Sequence, residues 1–286
     1  MNTTFSLLTF NCFGGINWTT PRRLRSLVRE LQVLTPTVVC LQEVQSNLAL
    51  RLLRRTAITY PGHAYLPGLS APLGSLLTLA RDPLHSPHFV RYTTQGAWFG
   101  PTVMDQLTQK GMLISRSEHD GVPFVMINTH LVANYRANWQ PESRAARDQQ
   151  SQLQQLAATV REQPSAAVVL VAGDFNLPRS SWLYDEFLRL SGLHDPLTGD
   201  VRPTYRPFPG VPAYYAQPID FVFLRTPPGL SIQTEADFCF TDQHGYVGGG
   251  RGYLSDHVGV HVMLRWATNQ GDQGKNDQEK TPNDHP

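Results

Sequence analysis

A chain of 286 residues, 41% of them hydrophobic and 16% charged, has the composition of a globular protein with a sizeable core, in one large domain or two small ones. Its 24 Lys and Arg against 23 acids exclude adhesion to nucleic acid through overall charge, though not a local basic patch. No stretch approaches the roughly 18 apolar residues of a membrane span. Cys12, Cys40 and Cys239 lack metal-ligand spacing and read as reduced core thiols, so a cytoplasmic location is expected. A secreted protein stripped of its leader would begin in the same way.

The first strand, Phe5 to Phe10, ends at Asn11. Thr20 can cap a helix with Pro21 at its first position, and Leu24, Leu27, Val28, Leu31 and Leu34 give that helix an apolar stripe, with Pro36 ending it. The strand T-V-V-C-L delivers Gln42 and Glu43 at its far end, and a short helix around Leu48 to Arg55 follows. Two or three strands are expected between Tyr60 and Ser115: Ser75 to Ala80, His88 to Tyr92 and one starting at Met112. The loop from Gly96 to Lys110 shows Trp98, Phe99 and Asp105. P-F-V-M-I-N-T-H-L is a strand carrying Asn128 and His130 near its end, and Pro141 to Gln163 is the longest helix candidate.

The run A-V-V-L-V-A-G-D-F-N-L-P, from Ala167 to Pro178, organises the rest. Val168 to Ala172 read as a strand buried on both faces. Asp174 and Asn176 follow two residues apart, which in an extended chain points both the same way. A carboxylate beside a carboxamide suits a phosphate and its attacking water; the plain alternative is an Asx turn closing a strand. Ser180 caps a helix closed by Gly192. His194 to Gln217 is a long loop of Pro, Tyr and Phe, either functional or poorly ordered. P-I-D-F-V-F-L places Asp220 at a strand entrance. A glycine-rich connector without a following Lys-Ser/Thr then leads to L-S-D-H and the last strand. From Thr268 the chain is nearly all polar, so residues 268–286 are expected to be a disordered tail behind a single domain, 1–267.

Asn11, Glu43, His130, Asp174 and Asn176 leave strand ends, whereas Asp220, Asp256 and His257 stand where strands begin. The two groups meet on one rim only if those strands run antiparallel. The fold expected is therefore α/β, a four-layer α/β/β/α sandwich of two mixed, mainly antiparallel sheets. Each residue alone has a structural explanation (a turn, a cap, a surface carboxylate), but eight on one rim favour a site.

L-T-F-N, L-Q-E-V, I-N-T-H-L, A-G-D-F-N, P-I-D-F-V and L-S-D-H, in this order, resemble the signature of the DNase-like endonuclease/exonuclease/phosphatase superfamily over residues 5 to 265. N-C-F-G, T-H-L-V-A-N-Y, S-G-L-H-D-P and the Lys110-Gly111 pair are most similar to neutral sphingomyelinases. The resemblance implies a Mg²⁺-dependent phosphodiesterase, with Mn²⁺ as a substitute. It implies Glu43 as the principal metal ligand, helped by Asn11, with Asp256 nearby, and His257 as general base held by Asp220. Asp174 would orient the attacking water, Asn176 and His130 would bind non-bridging phosphate oxygens, and Lys110, Asn128 and Tyr135 would add phosphate contacts. Either Asp174 or His257 could take the water's proton.

The chemistry agrees: Mg²⁺ takes few protein carboxylates and several waters, and a histidine backed by a carboxylate has a fixed tautomer. The implied partner is a phosphodiester, either a phospholipid headgroup of sphingomyelin type or a nucleic acid, and the protein is expected to be a monomer. Trp98-Phe99 and Tyr214-Tyr215 are candidates for peripheral membrane contact. A nuclease would need cations at the site, and Arg136, Arg179, Arg202, Arg206 and Arg251 are the set available. A non-catalytic binding protein on this fold would be expected to have lost part of the catalytic set, which is complete here.

Overall fold

The computed structural model describes residues 2–15, 17–96 and 109–267. Trp98, Phe99, Asp105 and the polar tail lie outside them. The chain begins with β1 (Asn2–Asn11), α1 (Thr20–Leu34), β2 (Val38–Gln42), α2 (Asn47–Leu53) and β3 (Gly62–Ala64). Next come β4 (Leu77–Ala80), β5 (His85–Arg91), β6 (Gly111–His119), β7 (Val122–His130) and α3 (Arg144–Arg161). Then follow β8 (Val168–Asp174), α4 (Trp182–Ser191), β9 (Asp220–Arg225), β10 (Gln233–Cys239), β11 (His244–Gly245), β12 (Arg251–Gly252) and β13 (Gly259–Ala267).

One sheet has the order β10-β13-β1-β2-β4-β3 and the other β5-β6-β7-β8-β9. Both are mixed: β1 runs parallel to β2 and antiparallel to β13, and β8 runs parallel to β7 and antiparallel to β9. The antiparallel relation needed to bring strand ends and strand beginnings to one rim is therefore present in each sheet.

Three apolar layers hold the sandwich. Between the sheets, Phe5, Leu7, Val38 and Cys40 face Phe124, Met126, Val168, Leu170 and Val222. Phe5 stacks on Phe124 with centroids 4.1 Å apart, and each such buried side chain contributes roughly 1.5–3 kcal/mol. On the outer face of the first sheet, Leu24, Leu27 and Leu31 of α1 pack on Leu8, Phe10, Val39 and Leu41. On the second sheet, Leu153, Leu156 and Val160 of α3 and Leu183 and Phe187 of α4 pack on Val169, Val171, Phe221 and Phe223. These are the four layers of an α/β/β/α sandwich.

Details depart from the expected elements. Thr19, not Thr20, is the residue before α1, and the Thr20 hydroxyl donates to Gly15 O at 2.7 Å instead of capping. Ser181, not Ser180, caps α4. The weak apolar stripe of α3 reflects a second duty: buried Gln149 donates to Val132 O (3.0 Å) and Asn176 O (2.8 Å), and buried Gln152 accepts from Val132 N (3.0 Å). This helix thus anchors the turns after β7 and β8. The glycine-rich connector forms β11 and β12, tied to α1 where Val247 N donates to Ser26 Oγ at 2.8 Å. All three cysteines are free, and burial pushes each thiol up to about 12. No helix among the described residues is long and apolar enough to cross a membrane.

Candidate active site

Strand alternation builds the site. Facing the opposite sheet, β1 presents Phe5, Leu7, Thr9 and Asn11; β7 presents Phe124, Met126, Asn128 and His130; β8 presents Val168, Leu170, Ala172 and Asp174. β9 runs the other way with Asp220, Val222 and Leu224, and pairs Asp220 directly opposite Asp174. The inter-sheet face is thus apolar at one end and polar at the other. Two buried carboxylates facing each other across a strand pair destabilise the fold by mutual repulsion, so stability alone does not account for them.

Asp220 Oδ2 lies 2.8 Å from His257 Nδ1, and both residues are buried. The carboxylate fixes the proton on Nδ1, so a neutral His257 offers Nε2 as acceptor. That side of the ring faces Asp174, whose Oδ2 is 3.7 Å from His257 Nε2 and 3.4 Å from His130 Nε2. Asn11 Nδ2 bridges Asp174 Oδ2 (3.0 Å) and Glu43 Oε1 (3.1 Å), while its Oδ1 accepts from Phe13 N. One connected cluster therefore joins Glu43, Asn11, Asp174, His130, His257 and Asp220, with Asp256 beside it.

Two members sit on strained backbone. Glu43 has φ 57° and Asn176 φ 53°, both left-handed, a conformation inexpensive for Asn and costly for Glu. Leaving β2, the left-handed turn directs Glu43 off the strand's alternation and onto the rim. Asn176 is likewise not extended, so period-two alternation does not bring it beside Asp174. Instead its N–H donates to Asp174 Oδ1 at 3.0 Å, the Asx turn named above as the plain alternative, and its Nδ2 donates to Leu131 O at 3.1 Å. Turn and site coexist, because Asp174 closes the turn with one oxygen and faces His130 and His257 with the other. Gly173 is required by close approach, since a Cβ there would collide with Thr129 O on β7.

Burial pushes the Asp174 carboxyl up to about 7 against the opposing charge of His257. Burial would push His257 down, but Asp220 and Asp174 outweigh it and raise it well above its ordinary range. His130 is lowered well below by burial, with Lys110 and His257 adding to the effect, and is neutral. Glu43 is raised, chiefly by burial.

These groups line a cavity of about 600 Å³. Glu43, Lys110, His130, Tyr135, Asp174, Asn176, Asp256 and His257 all reach it; Asn11 and Asp220 stand behind, bonded to members that do. Asn128 does not. It is fully buried between the sheets, accepting from Gln42 Nε2 at 2.8 Å and donating to Leu41 O and Leu77 O. Strand periodicity puts it on the same face as His130 but one layer deeper, so it ties the sheets together and is not a phosphate contact. The loop that the sequence left open closes over the cavity: Tyr205, Phe208, Val211, Pro212 and Tyr215 line it together with Phe13 and Trp139. None of Arg136, Arg179, Arg202, Arg206 and Arg251 does; Arg179 pairs with Asp195 at 2.7 Å and Arg202 with Asp200 at 2.6 Å.

Sequence reasoning missed several supports. Gln45 donates to Glu43 Oε2 at 3.2 Å, and its place two residues after Glu43 is the one local signal among them. Thr204 Oγ1 accepts from Asp220 N at 3.0 Å, and the Tyr205 ring lies 5.2 Å from that of His257. Neither carries a local motif.

The donor set fits a hard divalent cation. Glu43, Asp174, Asp220 and Asp256 concentrate negative charge around one cavity, and the Asp256 charge itself raises Glu43. Oxygen donors with room for water are what Mg²⁺ selects. Asp174, Asp220 and His257 also offer ligand atoms within 4.8 Å of one another, but Asp220 Oδ2 and His257 Nδ1 already engage each other. Asn11 presents its NH₂ to the carboxylates, and a turned carboxamide would be needed to offer oxygen.

Among solved structures, SmcL matches at a TM-score of 0.71 and 18% identity, covering 91% of this chain and 98% of its own. Sphingomyelinase C from Streptomyces griseocarneus matches at 0.66 and 22%, covering 91% and 99%. D. rerio TDP2 complexed with a single-strand DNA product matches at 0.72 and 19%, covering 92% and 99%. At these identities the likeness is one of fold. No curated protein sequence matches. The endonuclease/exonuclease/phosphatase family matches residues 8–257, a span that runs through every residue of the cluster from Asn11 to His257. A sandwich of this topology, with paired carboxylates and histidines on its rim, and a match of that extent lead to one conclusion: the chain belongs to the endonuclease/exonuclease/phosphatase family.

Proposed function

We propose that the protein is a Mg²⁺-dependent phosphodiesterase that hydrolyses a P–O bond by in-line attack of water, with a phospholipid headgroup of sphingomyelin type as substrate. The observation that carries this reading is the Asp220–His257 pair aimed at Asp174 on the floor of a cavity whose rim bears Glu43 and Asp256. Mg²⁺ on Glu43 and Asp256, with Asn11, would neutralise charge on the phosphoryl group and the leaving oxygen.

The chain's own residues do the rest. His257, fixed through Nδ1 by Asp220, accepts the proton of a water on the cavity side that bonds to both Nε2 and Asp174. Asp174, raised to about 7, orients that water and can hold a proton near neutrality, so the pair shares the acid–base work. Neutral His130 donates from Nε2 to a non-bridging oxygen. Lys110 at the same wall adds positive charge, and Tyr135 and Asn176 flank the cavity.

The walls support a lipid-type ester over a polyanion. Aromatic and aliphatic side chains such as Phe13, Trp139, Phe208 and Ile219 share them with the polar cluster, and Lys110 is the one Lys or Arg among the described lining residues, whereas nucleic-acid affinity rests on several phosphate-binding cations. The test is a panel of sphingomyelin, phosphatidylcholine, plasmid DNA, bis-p-nitrophenyl phosphate and a monoester, each with Mg²⁺. Turnover of sphingomyelin that chelator abolishes is the expected result. Activity on monoesters alone overturns the diesterase reading; DNA cleavage with steep salt dependence moves the assignment to a nuclease.

A further inference from the structure

Leu254, Ser255, Asp256 and His257 present four consecutive backbone carbonyls, and each accepts from Arg23 or Arg206. Arg23 Nη1 donates to Leu254 O at 2.6 Å. Arg206 Nη1 donates to His257 O at 2.6 Å and Ser255 O at 3.3 Å, and its backbone N donates to Asp256 O at 2.7 Å. Each guanidinium also holds a second segment. Arg23, buried on α1, reaches Cys12 O (3.2 Å) and Phe13 O (2.6 Å), immediately after Asn11. Arg206 Nη2 reaches Phe240 O (2.9 Å) and Thr241 O (3.0 Å).

The bond to Phe13 O has a particular effect. Phe13 is left-handed at φ 45°, a conformation that an aromatic residue adopts at a cost. Its N–H donates to Asn11 Oδ1, which ties the Phe13 turn to the end of β1. Arg23 therefore spans the turn that follows Asn11 and the segment that carries Asp256 and His257. A rigid planar fork with five donors spans separated carbonyls that an ammonium, its three donors on one atom, reaches only in part.

We propose that Arg23 and Arg206 are positioning residues, a pair of clamps on backbone carbonyls that set Asp256 and His257 against Asn11 and Glu43. Neither lines the cavity. Their activity arm rests on the phosphodiesterase reading; a metal-binding arm does not. The variants are Arg206→Lys, Arg206→Gln and Arg23→Lys, with Arg225→Gln as control. Arg225 makes the same kind of contact, to Val160 O, Gln163 O and Pro164 O, at the far end of β9.

Loss of charge-assisted hydrogen bonds predicts a fall in kcat of about tenfold to a hundredfold with KM within about threefold, Lys recovering part of what Gln loses. Mn²⁺ binding followed by electron paramagnetic resonance is expected to weaken by about tenfold in the clamp variants and to stay unchanged in Arg225→Gln, even where that control lowers Tm. Arg206 is partly exposed, so its variants keep the test open if Arg23→Lys does not fold. Equal Mn²⁺ affinity in Arg206→Gln and the parent overturns the proposal, as does an equal loss in Arg225→Gln. A parent that binds Mn²⁺ but cleaves no ester removes the phosphodiesterase reading and leaves the clamp to be judged by the Mn²⁺ titration.

Discussion

Replacing Asp220 with Asn tests the centre of the proposed chemistry with minimal change of shape. The side chain is buried and isosteric with Asn, and its Oδ2 meets His257 Nδ1 at 2.8 Å. Asp220 Oδ1 finds no hydrogen-bond donor among the described residues, so an amide nitrogen placed there gains nothing. Turned the other way, the amide donates to Nδ1 and leaves the proton on Nε2, where it blocks acceptance from water. In both orientations the imidazolium loses a charge-assisted bond worth about 1.5–3 kcal/mol, about ten- to a hundredfold in rate, and the wrong tautomer adds to that. The total expected is a fall in kcat of about a hundred- to ten-thousand-fold.

The pH profile gives an independent sign. Asp220 holds His257 above its ordinary range, and a base works when deprotonated, so the acid limb of the parent's rate rises as His257 loses its proton. Without the Asp220 charge that limb moves to lower pH while the plateau drops. The assay is bis-p-nitrophenyl phosphate hydrolysis at saturating Mg²⁺ across the pH range. A kcat within about threefold of the parent, or an acid limb that does not move, refutes the assigned role.

Glu43→Gln is expected to raise half-saturating Mg²⁺ by at least about tenfold with the fold intact, as read by a metal titration of activity and by circular dichroism. Asn128→Ala removes a bond from Gln42 and two to carbonyls; urea denaturation should show a loss of about 1–3 kcal/mol or more, with KM unchanged because no phosphate contact is lost. Asp174→Asn should make the chelated, metal-free protein more stable at pH 8. The raised Asp174 contributes most while protonated, and that contribution is lost as pH rises through about 7. The parent should therefore lose about 2–3 kcal/mol between pH 5 and 8 that the variant keeps. Excess chelator should abolish diester turnover, and added Mg²⁺ or Mn²⁺ should restore it.

What could be read from the chain depended on periodicity. The alternation in β1, β7 and β8 makes Asn11, His130 and Asp174 legible, because each strand's inward register ends on the residue that matters. Glu43 is legible as a charge just past an apolar strand, and Asn176 through an alternation that its backbone does not follow; the left-handed φ of both stays hidden, since φ leaves no trace in residue type for Glu. Asn128 shows the reverse failure: the right face at the wrong depth, which alternation cannot distinguish. β10 was missed because Q-T-E-A-D-F-C alternates along an edge with little apolar content, and β3 because three residues carry no pattern. Arg23 and Arg206 act on backbone oxygens, which every residue possesses, so nothing in their spacing announces their partners.

The stacking of one sheet on the other has a consequence for how this molecule can fail. Asn11, Glu43 and His257 hang from one slab and His130, Asp174 and Asp220 from its counterpart, so the proposed reaction centre straddles a seam and belongs to neither half. Thinning the filling far below it, for instance at the Phe5–Phe124 stack, should let the slabs tilt and detune catalysis before the protein melts, a lesion remote from every polar group at the rim.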